Sequence, residues 1–197
     1  AAPGGALGAL SARGLALREP ASAWERSAGL HRDWPQGRGA FLASDESAAA
    51  WVNGEEHLEL WAMRPGADLQ GALGRLRAAE AGVLASLRQA DHDFAWSARF
   101  GHLTSCPTRS GSGVEVQVSA RLPHLSALPS FGELCAAERL QPCGDAAGDG
   151  AVWLGAGRAQ LGGPPAAQVR CLQAGLQRLR DMEARLARGE ELDAEPQ

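Results

Sequence analysis

The sequence contains no lysine, no isoleucine and no tyrosine, and all 19 of its basic residues are arginine. The three missing residue types use AT-rich codons, whereas alanine, glycine, arginine and proline, which are abundant here, use GC-rich ones. The composition therefore indicates a strong mutational bias toward GC. Such a bias supplies arginine codons freely, so an arginine that is missing where one would be expected needs another explanation.

Further absences exclude broad classes of function. No apolar run approaches the roughly 20 residues that a membrane-spanning helix needs. No basic segment followed by an apolar one opens the chain, as it would in a secretory signal. The formal net charge of −4 gives no electrostatic footprint for nucleic acid. We therefore expect a cytoplasmic protein with neither a membrane nor a nucleic-acid partner.

The cysteines show no metal-binding pattern. Cys106, Cys135, Cys143 and Cys171 include no Cys-x-x-Cys spacing, and no His-x-x-x-His accompanies them. We therefore expect no zinc site and no other metal site. Without a secretory signal, free thiols in a reducing compartment are the default expectation.

The length and apolar content suit one domain. The chain has 197 residues, of which 45 % are hydrophobic, enough to bury a sizeable core. Residues 1–19 are rich in alanine, glycine and leucine, and they predict a weak helix or a disordered lead-in. The domain then covers residues 20–197. Because the first residue is alanine rather than methionine, we expect a segment of a longer product.

Hydrophobic periodicity predicts a mixture of strands and helices. Short apolar stretches separated by polar turns favour an antiparallel meander, and residues 114–122 alternate between a buried and an open face. Leucine and valine recur at helical spacing in two long segments, and Gly189 suits the C-cap of the second. The order favours an α+β fold with helices packed on a mostly antiparallel sheet. The predicted strands are 39–45, 48–53, 57–63, 114–122 and 151–154, the predicted helices are 68–89, 129–137 and 164–188, and 144–150 is a predicted loop.

Three motifs in a fixed order carry the most specific signal. They are Trp34-Pro-Gln-Gly-Arg-Gly39, Trp51-Val-Asn-Gly-Glu-Glu-His-Leu58 and Ser105-Cys-Pro-Thr-Arg-Ser-Gly-Ser-Gly113. Together they resemble the catalytic lobe of the phosphagen (guanidino) kinases, and most closely the creatine kinases. Residues 20 to about 144 can be laid on that family pattern without a gap.

The resemblance implies a fold and a truncation. It implies a catalytic lobe of the glutamine synthetase/guanidino kinase type, in which an antiparallel β-sheet is flanked by helices. In the family, an all-helical N-terminal domain closes over the guanidino substrate, and the first part of the catalytic lobe supplies early phosphate-binding arginines. Neither part has a counterpart in these 197 residues, so we expect a truncated lobe.

Two residues match the family's chemistry at the guanidino group. Glu55 stands at the catalytic carboxylate, which orients the guanidinium and takes its proton. Cys106 stands at the reactive thiol, where the family forms a thiolate. By resemblance, both are candidate catalytic and substrate-binding residues in vestigial form. The residues alone are equally consistent with two non-functional interpretations. In these, Glu55-Glu56 is a solvated hairpin turn and Cys106 is an inert loop cysteine.

The arginines that the family places at the nucleotide phosphates are missing. Arg109, Arg121 and Arg158 lie nearby in sequence, but bidentate phosphate contacts depend on position and not merely on charge. Since the codon bias supplies arginine, its loss at so many positions indicates a degenerate nucleotide site. The family arginines are replaced by Glu59, Glu115, Cys143 and Gln160, and a family histidine is replaced by Ser119.

These replacements favour a catalytically inactive creatine kinase-like domain. We expect it to serve a structural or interaction role with other protein domains or chains, including a kinase-like dimer, and to need no cofactor. One alternative is an active ATP:guanidino phosphotransferase that uses Mg-ATP and receives its arginines from other segments. A second alternative is a module that binds a guanidino group through Glu55 and Cys106 and makes no use of ATP.

Overall fold

The structure is a computed structural model that describes residues 19–66, 68–105, 110–143, 150–156 and 164–191. The chain divides into two compact units, Ala1–Phe94 and Ala95–Gln197. The predicted lead-in over residues 1–19 and the predicted loop over 144–150 lie outside the described residues, apart from one terminal residue of each. None of the described helices combines the length and apolar character that a membrane crossing needs.

The first unit is an antiparallel meander followed by a long helix. Its strand order is β1-β2-β3, which confirms the meander that the short apolar stretches predict. The long helix begins one residue later than predicted and ends where predicted. The elements are α1 (Ala23–Ser27), β1 (Gly39–Leu42), β2 (Ala48–Val52), β3 (Leu58–Ala62) and α2 (Leu69–Gln89).

Local polar contacts fix the ends of these elements. Asp68 caps α2, since its carboxylate accepts a hydrogen bond from the Gly71 N–H at 2.8 Å. Arg75 of α2 donates to the Asp45 carboxylate at 2.9 Å, and the Ser47 N–H donates to the same side chain at 3.1 Å. The Asp45 turn ends β1 at Leu42, so the strand predicted over 39–45 is shorter than expected.

The second unit contains a β-hairpin, a three-stranded antiparallel sheet and a long helix. The hairpin pairs β4 with β5, and the sheet has the order β6-β8-β7. Strands of two or three residues are too short to show periodicity, so β4, β5 and β7 were not predicted. The elements are β4 (Trp96–Ser97), β5 (Gly101–His102), β6 (Gln117–Arg121), a 3-10 turn (Leu125–Ala127), α3 (Phe131–Ala137), β7 (Leu140–Pro142), β8 (Ala151–Ala156) and α4 (Pro165–Ala187).

The core of the second unit lies between its three-stranded sheet and α4. Gly175 of α4 comes so close to β7 that a Cβ there would lie 2.9 Å from the Leu140 side chain. Fully burying an aliphatic side chain contributes about 1.5–3 kcal/mol, so this layer dominates the unit's stability. The buried residues of the layer are Leu140, Val152, Leu154, Ala156, Val169, Leu172, Leu176 and Leu179.

The predicted α+β class, with antiparallel strands and flanking helices, is confirmed, and the boundaries differ in a few places. The strand predicted over 114–122 is reduced to Gln117–Arg121, because the Val114 carbonyl accepts a hydrogen bond from the Gln168 side chain at 3.0 Å instead of joining the ladder. The strand predicted over 151–154 continues to Ala156. Gly189 has a φ of 76° just beyond α4, as its predicted role at the helix end requires.

Candidate functional site

Glu55 lies in the turn that joins β2 to β3. The Asn53 N–H donates to the His57 carbonyl at 3.0 Å and closes the turn. Asn53 has a φ of 55°, a left-handed conformation that asparagine adopts more readily than most residues. Glu55 and Glu56 are both half-buried, so the turn is not fully solvated.

The first sequence motif braces this turn. The Asn53 side chain donates from Nδ2 to the Gly37 carbonyl at 2.7 Å. The neighbouring Arg38 guanidinium lies 5.3 Å from the centroid of the Trp34 ring and donates to the Leu30 carbonyl at 2.6 Å. The first two motifs, which are separate in the sequence, therefore contact each other beside Glu55.

Glu59 follows the turn on β3. It is paired with Trp51 across the β2–β3 ladder, and its Oε1 accepts a hydrogen bond from the Glu56 N–H at 3.5 Å. The position at which the resemblance places a phosphate-binding arginine therefore carries a half-buried carboxylate. Glu55, Glu56 and Glu59 place three carboxylates at this end of the meander.

Three more positions at which the resemblance implies a replaced family residue share the open face of the β6–β8–β7 sheet. Ser119 is opposite Trp153, and the Cys143 N–H donates to the Trp153 carbonyl at 2.8 Å. Gln117, opposite Gly155 in the same ladder, donates from Nε2 to Glu115 Oε1 at 2.8 Å. The sheet therefore collects Glu115, Ser119 and Cys143, which come from separate segments, on the face opposite α4.

Gly155 shapes this open face. A Cβ at Gly155 would lie 3.0 Å from the Cys143 Sγ and 3.7 Å from the Gln117 Cγ, so glycine leaves the space that the thiol occupies. Trp153 and Gly155 were not singled out from the sequence. The signal that could have found them is the alternation along residues 151–156, which places Trp153 and Gly155 on the same side as Ser119 and Gln117.

The thiol and the carboxylate of this face interact electrostatically. Burial raises the pKa of the Cys143 thiol, the negative charge of Glu115 raises it further, and a hydrogen bond from the Gly155 N–H acts in the opposite direction. Cys143 is therefore a neutral thiol near pH 7. Arg121 is exposed on the same face but lies four residues beyond Gln117, about 13 Å along an extended strand.

The third motif is described only at its two ends. Cys106, Arg109, Arg158 and Gln160 lie outside the described residues, so the predicted roles of Cys106 and Gln160 stay predictions.

The segments on either side of residues 106–109 are hydrogen-bonded to each other. The Thr104 and Ser110 hydroxyl oxygens are 3.0 Å apart, and the backbones of His102 and Gly111 exchange hydrogen bonds of 2.8 and 3.2 Å. Gly101, with a φ of 70°, adjoins the Gly111 carbonyl so closely that a side chain there would clash. Across the described part of the chain, no three or more His, Cys, Asp or Glu side chains form a group that could hold a metal ion.

Comparison with known proteins identifies the family. The model of the ATP:guanido phosphotransferase C-terminal catalytic domain matches residues 10–185. This chain belongs to the ATP:guanido phosphotransferase family. The creatine kinases M-type of Homo sapiens and Sus scrofa are each 30 % identical over 179 residues, covering 89 % of this chain and 47 % of the relative. The chain therefore spans about half the length of the curated relatives that it matches.

Solved structures of phosphagen kinases have the same fold. The crystal structure of lombricine kinase has a TM-score of 0.82 at 26 % identity and covers 93 % of this chain and 52 % of that one. The duplicated taurocyamine kinase from Schistosoma mansoni, solved with bound transition state analog components, has a TM-score of 0.74 at 29 % identity. That match covers 89 % of this chain and 24 % of that one. These likenesses confirm the resemblance and the α+β catalytic-lobe fold that the three motifs imply.

Proposed function

We propose that this chain is a phosphagen-kinase catalytic domain, covering residues 20–197, that no longer transfers phosphoryl groups. The observation that carries this proposal is the open face of the β6–β8–β7 sheet. There Glu115 and Cys143 stand at two positions where the family resemblance places arginines, and they contribute a negative charge and a neutral thiol. Neither can neutralise a phosphate.

The energetic consequence is large. Phosphoryl transfer is catalysed mainly by positioning and by neutralising phosphate charge. A hydrogen bond to a charged group contributes about 1.5–3 kcal/mol. Losing four such contacts, at the positions of Glu59, Glu115, Cys143 and Gln160, removes about 6–12 kcal/mol of transition-state stabilisation. That corresponds to roughly 10⁴–10⁹ in rate.

The residues present do not suit the phosphates of Mg-ATP. Glu115 is an exposed carboxylate on the open face, and Glu59 adds a second carboxylate at the end of the meander. A carboxylate at either position repels a phosphate group rather than holding it. Mg-ATP is therefore not part of the function that we propose.

We propose that the retained fold makes contacts with other protein domains or chains in the cytoplasm, including a second kinase-like chain. Several large apolar side chains support this role because they are exposed. Phe41 on β1 is 64 % exposed, and Trp96 and Phe100 of the β4–β5 hairpin are 61 % and 55 % exposed. Trp96 and Phe100 belong to one short hairpin, and exposed apolar groups that lie close together mark interaction surfaces.

A second candidate function is binding of a guanidino group without ATP. The observation that favours it is the braced turn at Glu55, where a half-buried carboxylate sits on a backbone held by Asn53. A carboxylate pairs with a guanidinium through bidentate hydrogen bonds. Titration with creatine or arginine in the absence of ATP tests this candidate. Loss of saturable binding in Glu55→Gln, with binding kept in Glu133→Gln, would support it.

The main proposal is tested by calorimetric titration with millimolar Mg-ATP. We expect no saturable heat for the natural sequence, because the phosphate positions carry Glu59 and Glu115. Saturable binding that EDTA abolishes, accompanied by ADP-dependent consumption of phosphocreatine, would overturn the proposal. A variant with arginine at positions 59, 115, 143 and 160 serves as the comparison. We expect this variant to gain nucleotide affinity without turnover, since the early arginines of the family pattern are not in this chain.

A further inference from the structure

A cleft of about 550 Å³ lies in the second unit between α4 and the turn that joins α3 to β7. Three arginines and a single acidic side chain line it. We call it the arginine cleft. None of its residues belongs to the open face that carries Glu115 and Cys143. The side chains that define it are Glu138, Arg139, Arg170, Cys171, Ala174 and Arg178.

The arginine cleft has an excess of positive charge. Glu138 forms a salt bridge with Arg178. Arg139 and Arg170 are exposed, and neither forms a salt bridge with a carboxylate in the described part of the chain. Two guanidinium charges are therefore left uncompensated in a protein whose net charge is −4. Such a local concentration of one charge sign attracts ligands of the opposite sign.

The backbone beneath these arginines is held firmly. Arg139 has a φ of 58° in the tight α3–β7 turn, and its N–H donates to the Ala136 carbonyl at 2.9 Å. The Cys171 thiol contacts the Arg139 carbonyl at 3.9 Å. At Gly175, a Cβ would come within 2.9 Å of the Glu138 carbonyl, so α4 and the turn are in direct contact.

The helix presents its part of the cleft along one face. Arg170, Ala174 and Arg178 follow one another at intervals of four residues, so their side chains lie one above the other on α4. The small side chain of Ala174 leaves the space between the two guanidinium groups open. The helix therefore contributes Arg170 and Arg178 to the lining of the cleft, and the α3–β7 turn contributes Arg139.

The chemistry of the cleft points to a doubly charged ligand. A guanidinium donates two parallel hydrogen bonds to a phosphate, and a phosphate monoester carries about −1.5 to −2 charges at pH 7. A carboxylate would neutralise only one of the two free arginines. The volume is within the range of small-ligand sites. We propose that the arginine cleft binds a phosphate monoester, either a free small molecule or the phosphorylated side chain of a peptide. This site is separate from the nucleotide positions of the family and does not depend on the proposed loss of activity.

The test is a titration of the 197-residue protein with phenyl phosphate without Mg²⁺, followed by calorimetry and by amide chemical shifts. We expect saturable binding, with the largest shifts at residues 138–140 and 170–178. Phenyl sulfate, a monoanion of similar shape, should bind about tenfold more weakly. The double variant Arg139→Asn/Arg170→Gln should lose at least about tenfold in affinity. Asparagine is chosen at 139 because it accepts the left-handed backbone.

A matched control and two ligand sources complete the experiment. Arg180→Gln removes an exposed arginine of the same helix that does not line the cleft. The affinity of this variant for phenyl phosphate should therefore equal that of the natural sequence. Free O-phosphoserine and a phosphoserine pentapeptide separate the sources, since tighter binding of the peptide indicates a phosphorylated protein and equal binding indicates a small molecule. The proposal is overturned if phenyl phosphate shows no saturable binding, if the double variant binds as well as the natural sequence, or if the shifts fall on the open sheet face.

Discussion

Glu115 lies close enough to Cys143, on the open face of the β6–β8–β7 sheet, for its negative charge to act on the thiol, and Gln117 donates a hydrogen bond to Glu115 at 2.8 Å. Burial and then the Glu115 charge hold the pKa of the Cys143 thiol above its ordinary value. Both residues stand where the family resemblance places arginines. The pKa of the Cys143 thiol therefore measures the electrostatic environment of the face on which the proposed function depends.

Replacing Glu115 by glutamine should make Cys143 more reactive. Removal of the negative charge lowers the pKa of the thiol, so a larger fraction is thiolate at any pH below that pKa. The measurement is the rate of iodoacetamide labelling at Cys143, followed between pH 7 and 9 by peptide mass spectrometry. Glu133→Gln, on the exposed side of α3, is the control and should leave the rate unchanged. An equal rate in both variants would show that Glu115 does not act on the thiol.

The buried thiol of Cys135 should dominate the alkaline stability of the protein. Burial raises its pKa to about 11 from an ordinary value of 9.0. The folded state therefore keeps a proton that the unfolded state loses, so this stabilisation is complete below pH 9 and is lost as the pH rises toward 11. The loss is about 2–3 kcal/mol. The absence of lysine and tyrosine leaves the cysteines as the only side chains expected to titrate in that window.

Urea denaturation under reducing conditions at several pH values between 8 and 11 measures this effect. Cys135→Ala should be less stable than the natural sequence at pH 8, because it leaves a small cavity, but its stability should fall less between pH 9 and 11. Cys171→Ala, which removes a half-buried thiol of α4, serves as the control and should keep the original pH slope. A slope between pH 9 and 11 as steep in Cys135→Ala as in the natural sequence would refute the assignment.

Substitution of Gly175 by alanine should destabilise the second unit. The added Cβ would lie 2.9 Å from both the Glu138 carbonyl and the Leu140 side chain, so α4 would have to move away from the sheet. Overpacking of this kind costs about 1–3 kcal/mol. Gly132→Ala in α3 is the matched control, since nothing lies within 4 Å of its Cβ position, and alanine there should stabilise the helix slightly. Chemical denaturation of the two variants should give changes of opposite sign.

Cys106 should react faster with iodoacetamide than Cys171. The motif around Cys106 offers hydroxyl and glycine N–H donors that stabilise a thiolate, whereas Cys171 is half-buried in α4. Labelling of all four cysteines across pH, with rates resolved by peptide, measures the order, and Cys135 should be the slowest because it is buried. Equal rates at Cys106 and Cys171 would remove the case for treating Cys106 as a site residue.

The short-range periodicity of apolar residues made much of the fold predictable. Helix α2 begins within one residue of its prediction and ends at the predicted Gln89, because leucine and valine at helical spacing are a local signal. The alternation around Gln117 likewise predicted a strand with one open face. Strands of two or three residues, such as β4 and β7, could not be predicted, since so few residues show no period.

The sequence by itself determined the family and the α+β class, because motifs are properties of residue identity, and it predicts the loss of arginine at the nucleotide positions. Tertiary structure alone decided which of these residues lie on the same face of the sheet. Antiparallel pairing through β8 brings Glu115 and Cys143 onto one face, and the absence of a side chain at Gly155 leaves the space that the Cys143 thiol occupies. Packing of α4 against the α3–β7 turn likewise gathers Arg139, Arg170 and Arg178 around one cleft. No local pattern encodes such a cluster, because it depends on where distant backbone segments come to lie.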